Sequence, residues 1–172
     1  VKTYSFGHIV KEGFRVLLCG PPNSGKSSIL NLLLGKERAI VTDISGTTRD
    51  LIEEEIVLDN YRFVFCDSAG IRKTEDKVEK IGIELAIDRI SWADLVILVA
   101  DASDSARDWE KVLPFLRGKA KKLWMVTNKI DLNSKAIGTV FCDSSICQQN
   151  FYISAKSHAG VEPFIQALVD EV

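Results

Sequence analysis

The stretch Gly20-Pro21-Pro22-Asn23-Ser24-Gly25-Lys26-Ser27 constrains this chain more than any other. It has the form G-x-x-x-x-G-K-[ST], follows the apolar run Phe14 to Cys19, and leads into a helical pattern from about Lys26 to Gly35. Between a strand and a helix such a loop is a phosphate cradle. Glycines let the backbone bend closely round the anion, and successive N–H groups point at its oxygens. Lys26 is placed to reach the β- and γ-phosphates of a nucleotide and the Ser27 hydroxyl to ligate Mg2+. Asn23, Ser24, Gly25 and Ser28 belong to the same set of nucleotide contacts.

Short apolar runs alternate with longer helical stretches along the rest of the chain, the pattern of a parallel α/β sheet. Ile52 to Leu58 and Arg62 to Cys66 read as strands, and Asp59-Asn60 between them supplies a tight turn, so the two form an antiparallel hairpin. Lys77 to Trp92 reads as a helix. Leu95 to Ala100 is apolar almost throughout, as in a strand buried on both faces. A helix over Ala106 to Leu116, strands over Lys122 to Thr127 and Phe151 to Ile153, and a helix beginning at Val161 and running to Val169 complete the order. Val1 to Gly13 has no core pattern and reads as a linker. Residues 14–172 form one domain, and both ends suggest that it was excised from a longer protein.

With 46% hydrophobic residues among 172, the chain can bury a full core and is not disordered. A net charge of −2 argues against a strongly cationic surface for gripping nucleic acid. No apolar run reaches the length of a membrane span, so no membrane partner is expected. Of the four cysteines, Cys19 and Cys66 end strand-like runs and read as buried thiols. Cys142 and Cys147 are near enough to meet across a loop, but the expected cytoplasmic setting argues against a disulfide.

The base is read elsewhere. Asn128-Lys129-Ile130-Asp131 follows the strand ending near Thr127. Asp131 can accept from both the N1–H and the 2-amino group of guanine, a pair that adenine does not offer. Asn128 can bond the other base edge, and the Lys129 stem can lie over the ring. Ser154-Ala155-Lys156 follows the last strand, with the Ala155 N–H as donor to the guanine carbonyl. These positions select GTP and GDP over ATP.

Asp67-Ser68-Ala69-Gly70 ends the third strand. Asp67 is expected to hold a magnesium-bound water and the Gly70 N–H to touch the γ-phosphate. Within Gly46-Thr47-Thr48-Arg49-Asp50 a threonine hydroxyl would complete the Mg2+ shell, Thr48 being favoured over Thr47, and would release its loop once the γ-phosphate has gone. The expected fold is therefore three-layer and Ras-like, a mostly parallel six-stranded sheet with one antiparallel edge strand. Ras-like enzymes orient the attacking water with a glutamine just after this motif. Ile71 stands there instead, and an apolar side chain cannot polarise water.

From roughly Gly13 to its C-terminus the chain resembles the tRNA-modification GTPases of the MnmE (TrmE) family, within the TrmE-Era-EngA-like P-loop GTPases. The most diagnostic stretch runs from Asp67 through Ala69-Gly70-Ile71-Arg72-Lys73 and Val78-Glu79 to Gly82-Ile83-Glu84. The related ribosome-assembly GTPase Der shares the start of this stretch but not its continuation. Ser68 replaces the usual threonine, and Leu85 an arginine common in the family.

The resemblance implies that Glu79 orients the attacking water through a bridging water, acting with Lys26 and Gly70. It also implies activation by K+, held by the Asn23 amide oxygen and by the backbone carbonyls of Thr42 and Ile44. That cation would stabilise charge in the transition state. Family members dimerise through their G domains and act with the flavoprotein MnmG on the wobble uridine of tRNA. The expectation is thus a GTP-hydrolysing domain of such an enzyme, with a Der- or Era-type ribosome-assembly GTPase or a switch module with incidental turnover as alternatives.

Overall fold

The computed structural model describes residues 12–36, 53–67, 88–138 and 143–172. Within them lie β1 (Phe14–Cys19), α1 (Lys26–Lys36), β2 (Glu53–Leu58), β3 (Tyr61–Asp67), β4 (Leu95–Asp101), α2 (Leu113–Leu116), β5 (Leu123–Asn128), β6 (Gln149–Tyr152) and α3 (Val161–Asp170). The strands form one sheet in the order β2-β3-β1-β4-β5-β6. Among the described residues only the β2–β3 pairing is antiparallel.

The hairpin closes where the sequence places it. Leu58 pairs with Tyr61, and the two residues between, Asp59 and Asn60, have φ of 47° and 67°. Two consecutive positive φ values match the right-handed twist of the flanking strands, and Asp and Asn tolerate them better than most residues.

Alternation along the central strands divides the core between the two faces of the sheet. Val16 and Leu18 of β1, with Leu95, Ile97 and Val99 of β4, join Ile29 and Leu33 of α1 and Phe164 and Leu168 of α3. Leu17 and Cys19, with Val96, Leu98 and Ala100, face the other way and join Trp109, Leu116 and Met125. A strand whose two faces are both covered has no polar positions to alternate with, which is why β4 reads as an unbroken apolar run. The architecture is the expected three-layer one.

Two expectations are corrected. The stretch Ala106 to Leu116 is not one helix but a 3-10 segment, Asp108–Lys111, followed by the single α-turn of α2. Pro114 is the cause: it has no N–H to donate to a carbonyl one turn earlier, so it is accommodated in the first turn of α2 and not within a longer helix. Arg107, at φ 52°, sets the start of the first segment. The second correction concerns Cys147, which is disulfide-bonded. Cys19 and Cys66 are free, so its partner lies outside the described residues. Of the helix expected over Lys77 to Trp92, only 88–92 falls within the described residues, and it is helical.

Candidate functional site

In a parallel sheet the loops at the carboxyl ends of the strands share one edge of the molecule, and open α/β sheets bind their ligands there. Here those loops follow β1, β3, β4, β5 and β6, and they carry Gly20 to Ser27, Asp67, Asp101, Asn128 to Asp131, and Ser154 to Lys156.

The phosphate loop is shaped by two glycines that no other residue could replace without movement. Gly20 has φ +145°, and a Cβ there would stand 2.3 Å from the Val99 carbonyl oxygen. Gly25 has φ +96°, and its Cβ would stand 2.1 Å from Asn128 Nδ2. Asn23 takes φ 61° without being glycine, which costs about 1 kcal/mol. Lys26 is 6% exposed, and its Nζ donates to the carbonyls of Gly20 at 3.1 Å and Pro21 at 2.8 Å. The ammonium is therefore satisfied by the loop it closes, and a nucleotide phosphate would replace those two carbonyls as its acceptor.

Ser27 and Asp67 come together, the Ser27 hydroxyl donating to Asp67 Oδ2 at 3.0 Å. A hydroxyl and a carboxylate are hard oxygen donors, and Mg2+ in nucleotide sites takes few protein ligands and several waters and phosphate oxygens. The pair fits such an ion. No cluster of three or more His, Cys, Asp or Glu side chains suited to a metal occurs among the described residues, so a cage built from protein carboxylates is not available there.

The residues that the sequence assigns to the base form a connected network. Asn128, 1% exposed, donates from Nδ2 to the Ser24 carbonyl at 3.2 Å, and its Oδ1 accepts from the Ala155 N–H at 3.0 Å. Both ends of its amide are thus engaged by protein. It ties the phosphate loop to the loop after β6, where the sequence had assigned it to a base edge. The Ala155 N–H, expected to meet the guanine carbonyl, is given to Asn128 in this structure for the same reason. Asp131 accepts from the Ser154 hydroxyl at 2.6 Å through Oδ1, which leaves Oδ2 as the oxygen not used in that bond. Ser154 Oγ accepts in turn from the Ser157 N–H at 3.0 Å, and this fixes the rotamer of the hydroxyl.

Lys129 has φ 65°, and its Nζ donates to the Asn23 carbonyl at 2.6 Å and to Asp101 Oδ2 at 2.5 Å. Asp101 and its neighbour Ser103 were not singled out by the sequence reading. The available signal was positional, an acidic residue closing a fully buried strand beside the strand that ends in Asn128. Burial alone would raise the Asp101 pKa, but hydrogen bonds from Lys129 and Ser103, with the Lys129 charge, outweigh it and hold the carboxyl below its ordinary value.

Beside this network lies a cavity of about 530 Å3, lined by Ser28, Asn31, Asn128, Lys129, Asp131 and Lys156 among others. Its volume lies within the range of small-ligand sites. Ser24 contributes its carbonyl to the network, while its buried hydroxyl has no hydrogen-bond partner among the described residues. Thr42, Ile44, Thr47, Thr48, Gly70 and Glu79 lie outside the described residues.

A phosphate loop, a hydroxyl–carboxylate pair suited to Mg2+, and an asparagine–lysine–aspartate set on adjoining loops define a Ras-like P-loop GTPase domain. The sequence profile of the family described as 50S ribosome-binding GTPase matches residues 15–129, and the chain belongs to that family.

Among curated proteins, the chain is 42% identical to the tRNA modification GTPase MnmE of Wigglesworthia glossinidia brevipalpis, over 98% of this chain and 37% of that protein. It is 43% identical to the MnmE of Pseudomonas paraeruginosa, over 92% of this chain and 35% of the relative. The MnmE of Lachnoclostridium phytofermentans is 47% identical over 78% of this chain and 29% of its own length. The chain thus spans about a third of the length of the curated relatives it matches.

Among solved structures, the G domain of the T. maritima FeoB iron transporter aligns with a TM-score of 0.63 at 25% identity, covering 92% of this chain and 98% of that one. A GTP-binding protein of Sulfolobus solfataricus in complex with GDP aligns with a TM-score of 0.64 at 18% identity, covering 98% of this chain and 57% of that one, a likeness of fold. No helix among the described residues is long and apolar enough to cross a membrane.

Proposed function

We propose that this chain is the GTP-binding and GTP-hydrolysing domain of a tRNA wobble-uridine modification enzyme, Mg2+-dependent and stimulated by K+ as two G domains meet. The observation that carries the reading is the 42% identity to a tRNA modification GTPase across 98% of the chain. The family description as ribosome-binding favours a second reading, a ribosome-assembly GTPase. The level of identity to the MnmE relatives supports the first.

In this reading the phosphate loop, Gly20 to Ser27 with Ser28, takes the phosphates, and Lys26 exchanges its loop carbonyls for phosphate oxygens. Ser27, Thr48 and Asp67 hold Mg2+, which when bound neutralises charge on the β- and γ-phosphates. Asp131 accepts from guanine, Asn128 keeps the phosphate loop and the Ala155 loop in register, and Lys156 lines the base cavity. Glu79 orders the attacking water through a second water. Asn23, Thr42 and Ile44 are the K+ ligands. The partners are a second copy of the domain and, for the longer protein, a MnmG-type flavoprotein and tRNA in the cytoplasm.

The test is GTP turnover at high protein concentration in KCl and NaCl of equal ionic strength. Stimulation by KCl alone, lost in Glu79→Ala, is the expected result. Equal slow rates in both salts would return the chain to the ribosome-assembly or pure-switch readings.

A further inference from the structure

The pairing register sets Asp101 beside Asn128, so the acidic side chain closes β4 next to the residue that begins the base reader. Two further bonds fasten the loops there: the Ala102 N–H donates to the Asn128 carbonyl at 2.8 Å, and Asn133 Nδ2 donates to the Ala102 carbonyl at 2.9 Å. The Asp101 carboxylate is itself fixed. Its Oδ1 accepts from the Ser103 N–H at 2.8 Å and the Ser103 hydroxyl at 2.6 Å, which leaves Oδ2 turned to Lys129. The Lys129 ammonium lies between that oxygen and the Asn23 carbonyl of the phosphate loop.

A lysine stem has four rotatable bonds, and ordering them costs entropy each time a ligand uses the stem as a surface. Here both ends are set before any ligand arrives. The backbone at φ 65° aims the side chain across the strand ends, and the ammonium is anchored at the tip. The Lys129 side chain remains 31% exposed, so the anchored stem still presents a face to a ligand.

We propose that Asp101 is a positioning residue for the nucleotide: by anchoring the Lys129 ammonium beside Asn23, it holds the lysine stem ready to cover the guanine ring. This rests on the assignment of Lys129 to the base site. Asp101 touches no ligand and acts through Lys129, with Ser103 setting the orientation of the carboxylate. It also couples two parts of the site, because the same ammonium bonds the phosphate loop.

The experiment is a mutant cycle read by the release rate of a ribose-labelled fluorescent GDP. Asp101→Asn, which keeps the shape and removes the charge, is expected to speed release by about tenfold, the range of one charge-assisted hydrogen bond. Lys129→Met is expected to speed it at least as much. The double variant should release no faster than Lys129→Met alone, because Asp101 has nothing left to position. Ser103→Ala, which removes the hydroxyl bond to Oδ1 but keeps the backbone N–H bond and the charge, should show an intermediate acceleration and covers the case in which Asp101→Asn does not fold. Unchanged release in Asp101→Asn or Ser103→Ala, with Lys129→Met accelerated, would overturn the inference and leave the base site standing. Multiplying effects in the double variant would overturn it too, since Asp101 would then act independently of the lysine. No effect in Lys129→Met would remove the base-site assignment itself.

Discussion

The Ser27 hydroxyl donates to Asp67 Oδ2 across 3.0 Å, joining the first turn of α1 to the end of β3 at the edge where the phosphates would lie. The contact spans 40 residues of sequence and places two oxygen donors side by side. Replacing Asp67 by Asn leaves the size unchanged but removes the charge that a magnesium-bound water would meet. The apparent Mg2+ affinity of the GTP complex should fall by about 10- to 100-fold, the usual effect of losing a group that orients metal ligands. Titrating Mg2+ against a fluorescent GTP analogue checks this. An unchanged midpoint would remove Asp67 from the metal site.

Two glycines near one another in sequence should respond to alanine with opposite signs. At Gly25 a Cβ collides with the Asn128 amide at 2.1 Å, and the φ of +96° is strained for any L side chain. Asn128 would have to leave its bond to the Ser24 carbonyl, so Gly25→Ala should cost about 3 kcal/mol from strain and a lost buried hydrogen bond. At Gly35, within α1, nothing lies within 4 Å of the added Cβ. Gly35→Ala should therefore gain about 0.5–1 kcal/mol by restricting the unfolded chain. Urea unfolding without nucleotide separates the two, and a stabilised Gly25→Ala would contradict the loop geometry.

What the sequence made legible was local. The phosphate loop, the two-residue turn at Asp59-Asn60 and the unbroken run of β4 each depend on neighbours within a few residues, and the strands lie within about two residues of their expected ends. The break at Pro114, in the helix expected over Ala106 to Leu116, is legible by the same local rule. Asn128 and Asp101 are different. The partners of the Asn128 amide, Ser24 and Ala155, lie 104 and 27 residues away, and Asp101 meets Lys129 only through the register of β4 on β5. Such contacts arise from the sheet order, which no periodicity encodes. A residue's chemistry can be read from its type, but whether protein or ligand takes its hydrogen bonds is settled by loops remote in sequence.

Thiol chemistry tests the cysteine assignments. Burial pushes the Cys19 thiol up to about 12, the Lys26 charge only partly opposing it, and burial likewise raises Cys66. Neither should react with a thiol reagent in the folded protein at about pH 8, where thiolate is the reactive form. Denaturation without reductant should expose two thiols, Cys19 and Cys66, and prior reduction should raise the count to the four cysteines of the chain. Four reactive thiols without reductant would contradict the disulfide at Cys147.

The Asp101 carboxyl should leave a signature in the dependence of stability on pH. Burial works against ionisation there, yet the bonds from Lys129 and Ser103 prevail and lower the pKa below the ordinary value of 3.8. A carboxyl that is more acidic when folded contributes stability above its unfolded pKa and loses it as pH falls through the folded value. Asp101→Asn lacks that contribution at every pH. The gap in urea midpoint between the native chain and Asp101→Asn should thus stay constant from about pH 7 to about pH 5 and shrink progressively below 3.8. The other acidic groups are common to both proteins and cancel in the difference. A gap that persists undiminished at about pH 2 would mean that the substitution acts through packing and not through the charge. A gap already closing near pH 6 would point to a group other than this carboxylate, because nothing in its surroundings moves its titration upward so far.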